Sequence, residues 1–262
     1  MAFKKTPLFE EHKSNGGKMV EFAGYSLPIS YSSINEEHNA VREKVGVFDV
    51  SHMGEFIISG SDSFNFLQKM TTNDLKKLRF GQAQYSLMCN ENGGIIDDLI
   101  IYKKRNDYLL VVNASNREKN LKWLKKNQES NVLIKDISES IGLLAIQGPK
   151  SREFLKPLID IDINDLHFYH FQYGFVKGIN AMISRTGYTG ELGYEIYVKS
   201  KNLIKLWRIL FLEGKEFGIK PVGLGCRDTL RMEMRYHLYG LDMDENINPI
   251  EADLSWVTKF NK

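Results

Sequence analysis

Cysteine is nearly absent: Cys89 and Cys226 are the only two in 262 residues, which excludes a disulfide framework and a four-thiolate metal site and suits a reducing compartment. Proline is also sparse, at six, and no Pro-rich or low-complexity stretch marks a linker. No apolar run approaches the roughly 18 residues of a membrane helix, so a membrane-spanning protein is not expected. Charge of one sign is lacking too. With 35 Lys plus Arg against 33 Asp plus Glu, the surplus of +2 is too small to grip phosphate backbones, and nucleic acid is not an expected partner. There is no G-x-G-x-x-G after a strand, no G-x-x-x-x-G-K-[ST] loop and no G-x-S-x-G elbow, which argues against nicotinamide or flavin dinucleotides, P-loop hydrolysis and α/β-hydrolase chemistry. Among six histidines only His167-x-x-His170 has a spacing that could seat a metal on a helix. It stands among Phe168, Tyr169 and Phe171 with no Cys or carboxylate motif, so no metal is assigned. The first seven residues, through Pro7, contain neither an apolar h-region nor an Arg/Ser-rich leader. A bacterial cytoplasm is expected, with the mitochondrial matrix as the alternative.

What is present is ordinary globular material, 42% apolar and 26% charged, with helix and strand signals alternating throughout. Ser33-x-x-Glu36 is a capping box that opens an amphipathic run through Ala40, Val41 and Val45 and stops before Gly46. Strands are expected at 47–50 and 55–59, then a short helix carrying Phe64, Phe66, Leu67 and Met70. Two β-rich runs, 85–90 and 95–103, are joined by Glu91-Asn92-Gly93-Gly94, a hairpin turn because glycine supplies positive φ cheaply. A strand at 108–113 precedes a lysine-rich helix over 115–128 with an apolar stripe of Leu121, Trp123 and Leu124. Further strands are expected at 132–137, 142–147, 175–176, 181–184 and 193–198, with helices starting at Ser151, spanning 203–210 and running from about Leu224 to Arg235. Sequence-adjacent strands joined by short turns imply an α+β fold of mostly antiparallel sheets flanked by helices.

Three polar clusters exceed what packing needs. In Ile95-Ile96-Asp97-Asp98-Leu99-Ile100-Ile101-Tyr102, two carboxylates interrupt a strand, and alternation sends them to opposite faces. At least one therefore points into the interior, where a carboxylate costs several kcal/mol unless it is paired or bonded. The segment Ser184–Glu195 is dense in Gly, Thr and Tyr. Its glycines allow close backbone approach, Tyr188 offers a ring to stack, and Glu195 offers two acceptors suited to a 2-amino-4-oxo ring. In Leu224–Glu233, Arg227 and Arg231 share a helix face and repel unless anions lie between them; pairing with Asp228 and Glu233 is the plainer alternative.

Together these stretches resemble one family, the T-protein of the glycine cleavage system. The resemblance runs from Thr6-Pro7-Leu8-Phe9 through Phe48–Gly54, Tyr85-Ser86, Asn92–Leu99, Arg185–Glu195 and Gly223–Arg231 to Leu238-Tyr239-Gly240 and Met243-Asp244-Glu245. It implies α+β domains around a central hole that holds tetrahydrofolate. It also implies an aminomethyltransferase that moves a one-carbon unit from the S-aminomethyl-dihydrolipoyl H-protein to tetrahydrofolate and releases ammonia. By resemblance Asp98 is the catalytic carboxylate and Glu195 clamps the pterin. Met53, Tyr85, Asn113, Tyr188, Arg227 and Tyr236 complete the folate site.

The resemblance further implies two interleaved folate-binding domains, residues 1–50 with 137–240 and residues 51–136 with 241–262, and lacks the family's third, β-barrel domain. Leu241 and Cys226 stand where many members carry Gln and Ala. Two rivals remain: a truncated, non-catalytic folate-binding module, and a folate-dependent relative used in iron–sulfur maintenance. The Lys-Gly-Cys-x-x-Gly-Gln-Glu signature of that relative is absent. A branch acting on dimethylated amines or sulfonium substrates, often fused to a flavin domain, fits less well, because Ile96–Leu99 and Tyr188–Glu191 match the T-protein.

Overall fold

A computed structural model describes residues 3–262. They form two compact units: one takes the chain up to His52 together with Glu139–Tyr236, the other Met53–Ser138 together with His237–Lys262. Both are mostly antiparallel sheets flanked by helices, the α+β arrangement that the short turns imply.

The first unit is built on a sheet in the order Phe171–Val176, Ile179–Ser184, Gly193–Lys199, Ile141–Gln147, Gly46–Asp49 and Lys220–Pro221, with only the last pairing parallel. The helix Leu203–Glu213 lays Leu203, Leu206, Trp207 and Leu210 into the core formed by Val47, Leu144, Ile146, Ile183, Tyr194 and Ile196. The helix Ile34–Glu43 starts where the capping box places it, with the Ser33 hydroxyl accepting the Glu36 N–H at 3.2 Å. The buried acid of this helix is the next residue, Glu37. The Glu37 carboxylate accepts the backbone N–H groups of Tyr31 at 2.6 Å, Ser32 at 2.9 Å and Gly223 at 2.8 Å. One side chain thus ties the end of the strand Tyr25–Ser30 to the starts of two helices, the second being Leu224–Glu233.

A small sheet in the order Lys4–Lys5, Tyr25–Ser30 and Lys18–Phe22, with the helix Phe9–Ser14, went unread in the sequence. A second buried acid anchors this segment. Asp49 accepts from the Thr6 hydroxyl at 2.6 Å and the Ser51 N–H at 3.0 Å, and bonds the ring of His12 at 2.9 Å, while Tyr31 meets the other ring nitrogen at 2.7 Å. Burial works against the charged form, but His12, Ser51 and Thr6 together hold the Asp49 carboxyl below its usual range.

The second unit carries one sheet, in the order Ala83–Cys89, Ile95–Lys103, Tyr108–Val112, Gly54–Ser59 and Leu133–Asp136, all antiparallel. Its hairpin turn is the expected one, with Gly93 at φ +87° and the Asn90 side chain accepting the N–H groups of Asn92 and Gly94. A Cβ on Gly94 would stand 1.8 Å from the Glu245 carbonyl, so the second glycine exists for the segment that crosses it. A register shift between Met88 and Cys89 breaks simple alternation here. Ile95 joins Leu87, Met243, Leu254 and Val257 on one face, while Ile96 and Leu99 join Phe56, Phe66 and Leu124 on the other.

Replacing Glu37 by Ala strands one buried and two partly buried N–H donors and is expected to cost about 3 kcal/mol, against under about 1 kcal/mol for exposed Glu36→Ala. Denaturant unfolding of both variants checks the contrast.

Candidate active site

In the second unit, pairing places Leu87 opposite Asp98 and Tyr85 opposite Ile100, so Tyr85 lies diagonally from Asp98 on the same face. The Tyr85 hydroxyl donates to Asp98 Oδ2 at 3.0 Å. On the next strand Val112 pairs with Leu99, which brings Asn113 level with the carboxylates, and its Nδ2 donates to Asp98 Oδ1 at 2.6 Å. Tyr85, Asp98 and Asn113, all expected site residues, are therefore brought together. Tyr85 is also stacked on Trp256, ring centres 5.8 Å apart and planes 19° apart, and Trp256 is 61% exposed.

Asp97 points to the opposite face and is fully buried. Its Oδ1 accepts from the amides of Asn113 at 2.8 Å and Asn116 at 2.7 Å, and its Oδ2 accepts from the Asn113 backbone N–H at 3.2 Å and from the Asn120 amide. Burial is the main cause pushing both carboxyls above their usual range. The charge of Asp98 adds to it at Asp97; the amides oppose it there, and Tyr85, Asn113 and His237 oppose it at Asp98. Asn116 and Asn120 escaped the sequence reading of a lysine-rich helix with an apolar stripe. The available signal was a polar residue at i and i+4 on the face that also carries Leu124.

In the first unit, the Arg227 guanidinium sits 4.3 Å over the Tyr188 ring, and Tyr188 stacks on Tyr236 at 5.7 Å with planes 29° apart. Glu195 is half-buried on the strand Gly193–Lys199, where its Oε2 accepts from the Thr186 hydroxyl at 2.5 Å and the Tyr197 hydroxyl at 3.4 Å. Arg231 donates to Asp228 at 2.8 Å and to the Tyr236 carbonyl at 3.2 Å. Glu233 pairs with Arg42. His52, buried against the edges of Phe22 and Tyr25, is held neutral, its pKa pushed down to about 4 by burial and then by Arg227.

The glycines of the loop serve the protein's own packing. A Cβ on Gly187 or Gly193 would stand 2.1 or 2.3 Å from the buried Gln147 side chain, which donates to the Thr186 and Tyr194 carbonyls and accepts from Thr189. Gly190, at φ +80°, makes room for Met234. Met53 is half-buried and opens the strand Gly54–Ser59 in the second unit. His167 and His170 lie outside any helix, their rings 5.6 Å apart, with His170 bonded to the Phe168 carbonyl.

The family profile described as GCVT N-terminal domain matches residues 8–262. An aminomethyltransferase of Halothermothrix orenii is 48% identical over 260 residues, 99% of this chain and 73% of the relative. One of Thermotoga maritima is 49% identical over 261 residues, covering 99% and 72%. The crystal structure of glycine cleavage system aminomethyltransferase T from Bartonella henselae superposes with a TM-score of 0.90 at 32% identity, over 99% of this chain and 70% of that one. The heterotetrameric sarcosine oxidase of Corynebacterium shares the fold, with a TM-score of 0.57 at 13% identity over 84% of this chain and 98% of that one.

A raised carboxyl pKa means that the fold disfavours the ionised form, so Asp98 costs stability as pH rises from its unfolded to its folded pKa. Asp98→Asn is expected to raise the melting temperature by a few degrees at pH 8 and by less at pH 4.5, checked by calorimetry at both.

Proposed function

The chain belongs to the GCVT N-terminal domain family and is an aminomethyltransferase of the glycine cleavage system, and we propose that Asp98 is its catalytic carboxylate. The acceptor is tetrahydrofolate. We propose that the donor is the S-aminomethyl-dihydrolipoyl arm of the H-protein. Two N–H bonds of the folate become C–N bonds to the transferred methylene, while its bonds to sulfur and to the amino nitrogen break. The two displaced protons leave with the thiol and with ammonia.

The observation that carries this reading is a strand carboxylate withdrawn from water yet bonded by a phenol and an amide. A group so placed can stabilise positive charge as it develops on the reacting nitrogens, because a fixed carboxylate in a low-dielectric site needs no reorganisation when that charge forms. Burial also raises its proton affinity, which suits it to take or return a proton. Glu195, a half-buried acceptor, matches the paired N–H donors of the pterin. Tyr188, Tyr236 and Arg227 offer flat and cationic surfaces to the rest of the folate, and Met53, Tyr85 and Asn113 complete its site.

The reading needs no metal, nicotinamide or flavin, no nucleic acid and no membrane, and it assigns the protein to a bacterial cytoplasm. Among the described residues no helix is long and apolar enough to cross a membrane. A non-catalytic module and an iron–sulfur maintenance relative have no observation in their favour.

In single-turnover methylene transfer, Asp98→Asn is expected to lose at least about a hundredfold in rate with tetrahydrofolate binding retained, and near-normal transfer would remove Asp98 from the mechanism. Glu195→Gln is expected to weaken tetrahydrofolate binding about tenfold or more in calorimetry, since one charge-assisted bond to the pterin is lost.

A further inference from the structure

Asp97 is the acid that the proposed reaction does not use, and it is the more deeply buried of the pair. Each of its oxygens accepts two N–H groups, which fills the acceptor capacity of a carboxylate, and all four come from asparagines. Among the described residues, none of its partners is a lysine or arginine. Two of the four bonds fasten Asn113, at its backbone N–H and at one amide hydrogen. The second amide hydrogen is thereby aimed at Asp98 Oδ1, 2.6 Å away. Asn120 is turned toward Asp97 at the expense of its own Oδ1, which is buried without a partner. Asn116 and Asn120 therefore hold Asp97, Asp97 holds Asn113, and Asn113 fixes the catalytic carboxylate from the side opposite Tyr85.

We propose that Asp97, clasped by Asn113, Asn116 and Asn120, is a positioning residue for this reaction that orients Asp98 through the shared Asn113 amide. The proposal rests on the assignment of Asp98 as the catalytic group. The like charge of one acid raises the proton affinity of the other, so the pair titrates as a unit. The other groups facing it are Tyr85 on the neighbouring strand, His237 and Tyr239 on the crossing segment, and Lys119 on the helix, the last paired with Tyr239 and Glu245.

The test is Asp97→Asn in the whole chain, assayed for transfer across a pH series and for tetrahydrofolate binding. The expected result is a kcat lower by about 10- to 100-fold, the size of effect usual for partners that orient an active group, with the KM for tetrahydrofolate within about twofold. The acid limb of the rate profile should move to lower pH, because the neighbouring negative charge is gone. Asn116→Ala, which removes one donor and leaves Asn113 doubly anchored, guards against a folding defect and should give a smaller fall in kcat with the same constant KM. Unchanged kcat and an unmoved acid limb in either folded variant would overturn the proposal. If the wild-type protein transfers no one-carbon unit, the assignment of activity fails. The positioning claim is then decided by carbon-13 carboxyl titration, which needs no substrate: a lower Asp98 midpoint in Asp97→Asn upholds it, and an unmoved midpoint overturns it.

Discussion

A carboxylate can leave water only where the fold supplies enough N–H and O–H groups to replace it, and this constraint recurs throughout the molecule. Glu37 meets it with three backbone amides, Asp49 with a threonine, a histidine and an amide, and Asp97 with asparagines alone. Each solution joins segments far apart in the chain. Glu37 reaches Gly223, Asp49 reaches Thr6 and His12, and Asp97 reaches across a strand pair to the helix Arg117–Lys126 and the turn before it. Acids that look like interruptions in the sequence are the fasteners of the fold.

The same principle separates the acids that bind the fold together from those proposed to act. Asp97 has its four acceptor sites filled and Glu37 three of its four, and both bring nothing to a reactant directly. Asp98 and Glu195 are less deeply buried than Asp97, and their bonded neighbours include hydroxyls and an amide, groups that can exchange partners without leaving a buried charge bare. Adjacent residues on one strand thus take different roles because the pleat gives them different surroundings.

Where a local rule decided the structure, the sequence was legible. The Ser33 cap, the Asn92-Gly93-Gly94 turn and the alternating strand with Asp97 and Asp98 on opposite faces all follow from backbone chemistry within a few residues. The burial of Glu37 beside the capping box was not legible, because it is set by the backbone N–H groups of Tyr31, Ser32 and distant Gly223. The N-terminal sheet went unread because its strands are short and carry lysines, and because its anchor at Asp49 lies more than thirty residues away. The loop glycines suggested close approach to a ligand, whereas Gln147 fills the space beneath Gly187 and Gly193. Asn116 and Asn120 were invisible for the same reason: an asparagine on a lysine-rich helix looks solvated until a buried acid is found facing it.

The stack of Trp256 on Tyr85 has a practical side. An indole with one face in water and the other against the phenol that touches Asp98 is a fluorophore placed by the chain itself beside the carboxyl group. Its emission responds to the polarity and charge of its surroundings. Occupancy and ionisation near that strand can therefore be followed optically in the unlabelled protein, once the signals of Trp123 and Trp207 are removed by substitution.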